Sequence, residues 1–400
     1  MKVGARIPVE IAIGFAALAA SLLACEIALR LLAPRSSALY IPDARIGVIH
    51  EPNAVGRWIS SEYAVPIRIN RDGFRDRDFD LPRPPGVLRV AVIGDSYVEA
   101  FQVPLERTAH KVLEARLREA GHRAEVAGLG VGGFGTAQEL LLFGAYARAL
   151  DPQVVVLFFN PGNDVHDNSQ GLKREARLPY FRLDGERLIE SPFAPAPLWR
   201  ARLSNRLRNL SQLYALARDG AARAGSGGTG GGLPDELFVY CQDPEGAWAE
   251  AWRLTEALLA EFAASVAASG ARLVVAIVVN QIQLPGRWEE AVARWPELAG
   301  PRCSPIVPVR RAREFLRSKG IPVIDLVDAF NRRVRATGER PHFEADGHWN
   351  ETGHRWAAEE IERFLLGHEG WLAPSPIVME SAPPAVAQPR ASRGNAPHSE

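Results

Sequence analysis

Short apolar runs alternate with amphipathic stretches along most of the chain. Helical periodicity separates these runs, and a last helix is predicted over residues 351–367. Strands that alternate with helices predict an α/β fold with a central parallel sheet of about five strands, covered by helices on both faces. The runs that predict buried strands are VLRVAVIGDS (87–96), AEVAGLGV (124–131), PQVVVLFFN (152–160), ARLVVAIVVN (271–280) and IPVIDLV (321–327).

An N-terminal run, IAIGFAALAASLLAC (11–25), is uninterrupted by any charged residue. A helix of that length rises about 22 Å, which is short of the roughly 30 Å hydrocarbon core of a bilayer. Extending it to residues 7–32 makes it long enough but takes in Glu10, Glu26 and Arg30. Because Glu26 and Arg30 lie four positions apart in the favourable order, they can neutralise each other near one interface. We interpret residues 1–35 as a cytoplasmic tip and a transmembrane signal anchor.

The charges that flank this run bear on its orientation. Lys2 and Arg6 precede it and favour a cytoplasmic N-terminus, although Arg30 and Arg35 weaken the asymmetry.

The alternatives to a signal anchor are a cleaved signal peptide, a lipoprotein cleaved before Cys25 and an ordinary buried helix. The apolar residues that continue past Cys25 disfavour the first two. We therefore expect a membrane-anchored protein whose domain beyond about residue 35 is periplasmic or extracellular.

The remaining chain divides by composition. Residues 36–87 are a juxtamembrane segment, residues 88–368 a single domain, and residues 369–400 a tail rich in Pro, Ala and Ser that is predicted to be disordered. Within the domain, residues from about 165 to 245 are an insertion predicted to lie over the active-site edge. It contains a hairpin that turns at Asp184-Gly185, a helical piece near 198–224 and the flexible linker GSGGTGGG (225–232).

Charge and cysteine content exclude several classes of protein. Acidic and basic residues balance at 47 each, so no overall field favours nucleic acid as a partner. The three cysteines form no Cys-x-x-Cys pair, which removes zinc-finger and thioredoxin-like motifs. Cys241 and Cys303 can pair as a disulfide if the domain lies outside the cytoplasm, and two free buried thiols are the alternative.

Polar and glycine residues follow the first three predicted strands of the sheet. Ser96 follows the first strand in Gly94-Asp95-Ser96, Gly133 follows the second in LGVGGFGT, and Asn163 follows the third in NPGNDVHDN. Ligands bind beyond the carboxyl ends of such strands. In a fourth piece, EADGHWNETGH, Asp346 and His348 are two residues apart just before the last helix. That spacing lets the carboxylate reach one imidazole nitrogen and leaves the other free to act as a base for a hydroxyl.

The same residues argue against nucleotide and metal sites. The glycine-rich loop lacks the Gly-Lys-Ser/Thr ending of a phosphate-binding loop, and no Gly-x-Gly-x-x-Gly turn follows the first strand. His342, Asp346, His348 and His354 are close in sequence, but they straddle a turn and a helix start, so no metal site is predicted.

Taken in order, the four motifs resemble those of the SGNH/GDSL hydrolase family, over roughly residues 88–368. The resemblance implies a three-layer α/β/α flavodoxin-like sandwich. It also implies that Ser96 is the nucleophile, His348 the general base and Asp346 the acid that orients it. Gly133, Asn163 and the backbone N–H of Ser96 would form the oxyanion hole, while Gly94, Asp95, Gly162 and Asp164 support the loops. One departure is Gly128, where many relatives have Asn.

The resemblance further implies a serine esterase that hydrolyses an acyl ester, O-acetyl esters among them, through a Ser-His-Asp triad and an acyl-enzyme, without a cofactor. The expected substrate is a small-molecule, lipid or polysaccharide ester. An O-acyltransferase of the same fold that acts on envelope polysaccharide and a catalytically inactive glycan-binding module are the alternatives. The sequence identifies no protein partner.

Overall fold

The computed structural model describes residues 8–225, 233–242, 246–368 and 370–372. The predicted cytoplasmic tip up to residue 7, most of the glycine-rich linker and the tail from residue 373 lie outside these ranges.

Five parallel strands form the central sheet. Numbered along the whole chain, they are β5 (Leu88–Gly94), β6 (Ala124–Gly130), β7 (Val154–Phe159), β10 (Arg272–Ile277) and β11 (Val323–Asp325). Their spatial order is β11–β10–β7–β5–β6, and all neighbouring pairs are parallel. Counted within the sheet this is the order 2-1-3-4-5, which is that of flavodoxin-like folds. The strands β5 and β7 are buried along their whole length, as the apolar runs predict.

Helices cover the sheet in two groups. Helices α3 (Ala109–Glu119), α12 (Leu326–Thr337) and α13 (Glu351–Gly367) pack together in one group. Helices α4 (Thr136–Ala145), α9 (Ala247–Ala268) and α11 (Val307–Ser318) pack together in the other, so the α/β/α sandwich is confirmed. Helix α13 coincides with the predicted last helix. The helices of the described residues are α1 (Val9–Leu32), α2 (Ser96–Glu99), α3 (Ala109–Glu119), α4 (Thr136–Ala145), α5 (Asp164–Asn168), α6 (Gln170–Lys173), α7 (Leu198–Leu210), α8 (Gln212–Gly225), α9 (Ala247–Ala268), α10 (Arg287–Arg294), α11 (Val307–Ser318), α12 (Leu326–Thr337) and α13 (Glu351–Gly367).

Helix α1 is the predicted N-terminal apolar helix. Its 24 residues span about 36 Å, so by length and composition it can cross a membrane. None of its residues is buried by the rest of the protein.

The segment between α1 and the sheet is folded rather than extended. It forms two antiparallel hairpins, β1 (Tyr40–Asp43) with β2 (Gly47–His50) and β3 (Val55–Ile59) with β4 (Ala64–Arg68). Ile41 and Ile49 belong to the main core, while Leu39 and Ile67 form a second cluster with Phe101. Because its side chains are buried against the sheet domain, the predicted juxtamembrane segment is part of the same packed body.

The predicted insertion contains the expected elements, and its parts lie in different places. The hairpin of β8 (Phe181–Asp184) and β9 (Arg187–Glu190) turns at Asp184-Gly185, as predicted, and packs against α9. The first part, α5 and α6, borders the glycine loop, since Lys173 Nζ lies 3.4 Å from the carbonyl oxygen of Gly133. The helices α7 and α8 contact β1 and α1 instead. The insertion therefore borders the active-site edge with its first part and again near its end, where the Tyr240 hydroxyl lies 3.5 Å from Asn280 Nδ2.

A disulfide joins Cys241 to Cys303. These residues also pair as an antiparallel bridge, which ties the end of the insertion to the segment before α11. Cys25 on α1 is a free, exposed thiol.

Candidate active site

The Gly94-Asp95-Ser96 turn joins β5 to the short helix α2. Gly94 is required by close packing, because a Cβ there would lie 2.7 Å from the Val98 side chain and 2.9 Å from Phe158. The buried Asp95 carboxylate accepts the backbone N–H of Tyr97 at 2.9 Å and so caps the helix. This local structure holds Ser96 at the first position of the helix, at the carboxyl end of the sheet.

Ser96, His348 and Asp346 are hydrogen-bonded in a row. The Ser96 Oγ lies 2.8 Å from His348 Nε2, although the two residues are 252 positions apart. On the other side of the ring, His348 Nδ1 lies 2.6 Å from Asp346 Oδ1. This network assigns the Nδ1–H tautomer, in which Nδ1 donates to the carboxylate and Nε2 accepts from the hydroxyl. The geometry is that of a nucleophile, its base and an orienting acid.

The loop that carries Asp346 and His348 is fixed to the end of β10. The side chains of Trp349 and His342 both donate to the carbonyl oxygen of Val279, at 3.0 and 3.1 Å. Trp349 is fully buried, so its indole also anchors the loop in the core. A turn at Gly347, with φ +82°, then directs the imidazole of His348 towards Ser96.

A family model matches the C-terminal part of the chain. Residues 237–380 match a family model described as the SGNH hydrolase-like domain of the acetyltransferase AlgX. This range includes Asp346 and His348, while Ser96 precedes it. Over these 144 of the chain's 400 residues, the sequence is similar to an SGNH hydrolase-like domain. The sequence matches none of the curated proteins.

Several solved structures are also similar to this chain. TesA has 15% identity over 70% of this chain and 98% of its own, with a TM-score of 0.37. The acetyl xylan esterase AlAXEase has 13% identity over 68% and 98% of the two chains, with a TM-score of 0.37. A lipase/acylhydrolase from Enterococcus faecalis has 14% identity over 70% and 96%, with a TM-score of 0.37.

Asp346 and His348 shift each other's pKa. Burial alone would lower the pKa of His348, but the hydrogen bond and negative charge of Asp346, with the charges of Asp95 and Glu99, raise it above its usual value. Burial opposes ionisation of Asp346, but hydrogen bonds from His348 and Tyr63 hold the pKa of its carboxyl below the usual range. The pair therefore favours a carboxylate beside an imidazole that protonates readily.

The groups predicted as oxyanion donors are not engaged in other hydrogen bonds within the described ranges. The backbone N–H groups of Ser96 and Gly133 donate to no acceptor within the described ranges. The Asn163 side chain does not cap α5, although Asn163 is the residue before that helix. Gly133 has φ +78°, a left-handed conformation that favours glycine. A cavity of about 340 Å³ opens beside this loop, lined by Gly132, Gly133, Tyr40, Lys173 and Arg177 among others.

Gly162 and Asp164 lie in the third loop. A Cβ on Gly162 would lie 2.2 Å from the Asn280 side-chain amide and 3.0 Å from the Tyr240 hydroxyl, so a larger residue would displace these groups. The buried Asp164 accepts the backbone N–H of Asn160 at 3.1 Å. Burial, with the nearby charges of Glu139 and Asp95, raises the pKa of the Asp164 carboxyl well above its usual value.

Two asparagines that the sequence analysis did not select link the strand ends. Asn160 Nδ2 donates to Asp95 at 3.2 Å, and Asn280 Nδ2 donates to Asn160 at 2.8 Å. The hydroxyl of Tyr97 in turn donates to Asn280 at 3.1 Å. Both asparagines end apolar runs, "LFFN" and "IVVN". The same strand-end criterion that selected Ser96 and Asn163 would have found them.

Tyr63 and Glu62, at the tip of the β3–β4 hairpin, support the acid from the other side. The Tyr63 hydroxyl donates to Asp346 Oδ2 at 2.6 Å. The Glu62 carboxylate accepts three consecutive backbone N–H groups, those of Glu344, Ala345 and Asp346, at 2.7, 3.0 and 2.8 Å. Neither residue was predicted, because their segment showed only a short strand pattern and nothing in it points to residues almost 300 positions away.

Gly128 departs from the family pattern for a packing reason. The ring of His110 occupies the space beside it, and a Cβ on Gly128 would lie 2.7 Å from that ring. Its backbone N–H donates to the buried Asp76 at 2.9 Å. The strand before the glycine loop is therefore well anchored without an asparagine.

Two of the histidines considered as metal ligands are instead hydrogen-bonded to the backbone. The His342 side chain donates to the carbonyl oxygen of Val279, and His354 Nδ1 accepts the backbone N–H of Ala109 at 3.3 Å. Within the described ranges, no group of three or more His, Cys, Asp or Glu residues is arranged to hold a metal ion.

Proposed function

We propose that this chain is a serine esterase of the SGNH/GDSL type that cleaves an acyl ester through a covalent acyl-enzyme. The observation that carries the proposal is the hydrogen-bonded row from Ser96 through His348 to Asp346. Neutral His348 takes the Ser96 proton at Nε2 as Oγ attacks the ester carbonyl carbon. The imidazolium that forms is stabilised by Asp346 and then protonates the leaving alcohol.

The tetrahedral oxyanion would be bound by the backbone N–H groups of Ser96 and Gly133 and by the side-chain N–H of Asn163, which make no other hydrogen bond within the described residues. Water then attacks the acyl-enzyme with His348 again acting as base, which releases the acid and regenerates Ser96. No step needs a cofactor.

An O-acyltransferase is the second candidate, and the family model, whose description names an acetyltransferase, favours it. The two activities share the acyl-enzyme and differ only in whether water or a sugar hydroxyl accepts the acyl group. An inactive glycan-binding module is disfavoured by the intact hydrogen-bonded row.

We further propose that α1 anchors the protein in a membrane, with the catalytic domain on the periplasmic or extracellular side. The length of α1 and the Cys241–Cys303 disulfide support this placement, since disulfides persist in oxidising compartments. The substrate would then be an acyl ester of the envelope, carried by a polysaccharide or a lipid.

The test is fluorophosphonate labelling of the full chain in detergent, followed by assays with p-nitrophenyl esters of graded chain length. We expect labelling and hydrolysis in wild type and neither in Ser96→Ala. Folded wild-type protein without a Ser96 adduct would instead favour the binding module. Adding an acetylated donor and a polysaccharide acceptor separates the two enzymes, because only the transferase acylates the polysaccharide.

A further inference from the structure

Helix α7 presents an apolar face away from the domain. At 100° per residue, four large apolar side chains fall within about 80° of its circumference. They are Trp199, Leu203, Leu207 and Leu210, which are 64%, 51%, 39% and 70% exposed. A surface helix of a soluble protein normally turns such a face inwards.

The inward face of α7 is polar instead. Asn205 donates to the carbonyl oxygen of Tyr40 at 2.8 Å. Asn209 both donates to the carbonyl oxygen of Ala38 at 3.1 Å and accepts its N–H at 2.8 Å. Arg208 pairs with Asp219 on α8 at 3.0 Å. These bonds fix the orientation of α7 about its own axis, so its apolar residues stay on the outside.

The C-terminal end of α7 is attached to the end of α1. Glu26 accepts the backbone N–H groups of Gln212 and Leu213 at 2.9 and 3.1 Å and the Ser211 hydroxyl at 3.0 Å. Arg30 pairs with Glu26 and donates to the carbonyl oxygen of Leu210. The exposed apolar face therefore starts at the level where the apolar helix α1 ends.

Basic side chains flank the same face. Arg200 and Arg206 are exposed, and the Arg200 guanidinium lies 5.2 Å from the centre of the Trp199 ring. Arg202 is also exposed and pairs with Glu51. Arginines beside Trp and Leu are typical of helices that lie in a bilayer interface, where they meet lipid phosphates.

We propose that α7 lies in the membrane interface at the C-terminal end of α1, with Trp199, Leu203, Leu207 and Leu210 among the lipid acyl chains. The partner is the phospholipid bilayer that holds α1. Continuity with α1 favours the bilayer over a second copy of the chain or the segment after residue 372. The proposal rests on the anchoring proposed for α1 and is independent of the chemistry proposed for Ser96.

The test places an environment-sensitive NBD label on the face. Leu203→Cys is made in the full chain with Cys25→Ser, labelled, and reconstituted into vesicles of phosphatidylethanolamine and phosphatidylglycerol, with or without 5-doxyl phosphatidylcholine. The matched control is Leu366→Cys in the same background, because Leu366 is 46% exposed on α13 and α13 packs on α3 and α12. Flotation reports whether α1 inserts, and circular dichroism reports folding.

We expect the doxyl lipid to reduce emission at position 203 roughly twofold, as for a group buried ~5–10 Å in the interface, and to leave position 366 unchanged. Flotation with equal emission at position 203 in both vesicle types would overturn the proposal and favour a second copy or another segment as the occupant. Failure to float would overturn the anchor and this proposal together, without bearing on ester cleavage.

Discussion

Each residue of Gly94-Asp95-Ser96 has its own physical task. Gly94 lets β5 and α2 pack where a Cβ would clash with Val98 and Phe158. Asp95 caps the helix and receives the amide of Asn160 from the neighbouring strand. The Ser96 hydroxyl makes no hydrogen bond within the turn and faces His348. The turn therefore leaves the Ser96 hydroxyl available to His348.

The side-chain amide of Asn163 is expected to donate a hydrogen bond to the substrate oxygen only when negative charge develops on that oxygen. Asn163→Ala should lower kcat about a hundredfold or more, since one oxyanion donor is commonly worth roughly 3 kcal/mol, and leave the melting temperature nearly unchanged. Asn331→Ala is the control, because Asn331 donates to backbone carbonyls on α12 and before α10; it should lower stability and spare kcat. Equal kcat in wild type and Asn163→Ala would remove Asn163 from the oxyanion hole.

The pH dependence should report His348. Because its pKa is raised above 6.5 and only neutral imidazole can accept the Ser96 proton, kcat/KM should fall as pH drops through a value above 6.5. In Asp346→Asn the carboxylate that raises this pKa is gone, so the acid limb should move to lower pH while kcat falls by about 10³- to 10⁴-fold. A limb that stays in place in Asp346→Asn would contradict the pairing. Stopped assays of ester hydrolysis from pH 5 to 9 measure the acid limb of kcat/KM and the value of kcat in wild type and in Asp346→Asn.

Tyr63 is a positioning residue whose hydroxyl dipole points its positive end at Asp346. Removing it in Tyr63→Phe should favour the imidazolium, so the acid limb should move up by roughly half a pH unit and kcat fall about three- to tenfold. Tyr146→Phe is the matched control, since the Tyr146 hydroxyl makes an equivalent 2.6 Å bond to Asp43 away from the triad. A kcat loss without any shift of the limb would mean that Tyr63 only packs.

Among the elements, the β3–β4 hairpin supports the loop that carries Asp346 and His348, although the hairpin precedes the sheet in the chain. Its tip supplies Glu62 to three successive N–H groups and Tyr63 to Asp346, while β4 buries Val65 and Ile67 beside Phe101. Residues 36–87 therefore complete the site as well as connect it to α1.

Replacing Glu62 should loosen the loop before His348. A glutamine keeps one oxygen but loses the charge that binds three N–H groups, so Glu62→Gln should lower kcat about tenfold with a small change in melting temperature. Glu290→Gln, on an exposed carboxylate that pairs with Arg287, is the control. Unchanged kcat in Glu62→Gln would show that Trp349 and His342 hold the loop unaided.

At the scale of the whole molecule, a buried histidine links stability to pH. Burial, with the positive charge of Arg75, lowers the pKa of His354 to about 3. The unfolded chain therefore binds a proton near pH 6.5 that the folded chain does not, and stability is lost as pH falls from 6.5 towards 3. Between pH 7.5 and 5 this loss is about 2 kcal/mol.

Urea unfolding in detergent at these two pH values tests this link. His354→Gln should lose about 2 kcal/mol less than wild type over the same interval. Carboxyl groups titrate equally in both proteins, so the difference isolates the histidine. Identical losses would show that His354 does not cause the acid sensitivity.

The sequence alone determined the alternation of strands and helices, the apolar N-terminal helix and the choice of Ser96, Asp346 and His348. It could do so because burial imposes a local period, and because nucleophile, base and acid require particular residue types near strand ends. Five strands, the hairpin at Asp184-Gly185 and the last helix follow from such local signals.

Only the tertiary structure decided which distant segments meet. The contact of Tyr63 with Asp346 joins residues 283 positions apart, and no local pattern records such a pairing. The same holds for the linking asparagines at positions 160 and 280, and for the outward rotation of α7, which depends on Asn205 and Asn209 meeting β1 and the residues before it. Periodicity reports that a side chain is buried or exposed, whereas the neighbour it meets is set by how the elements pack.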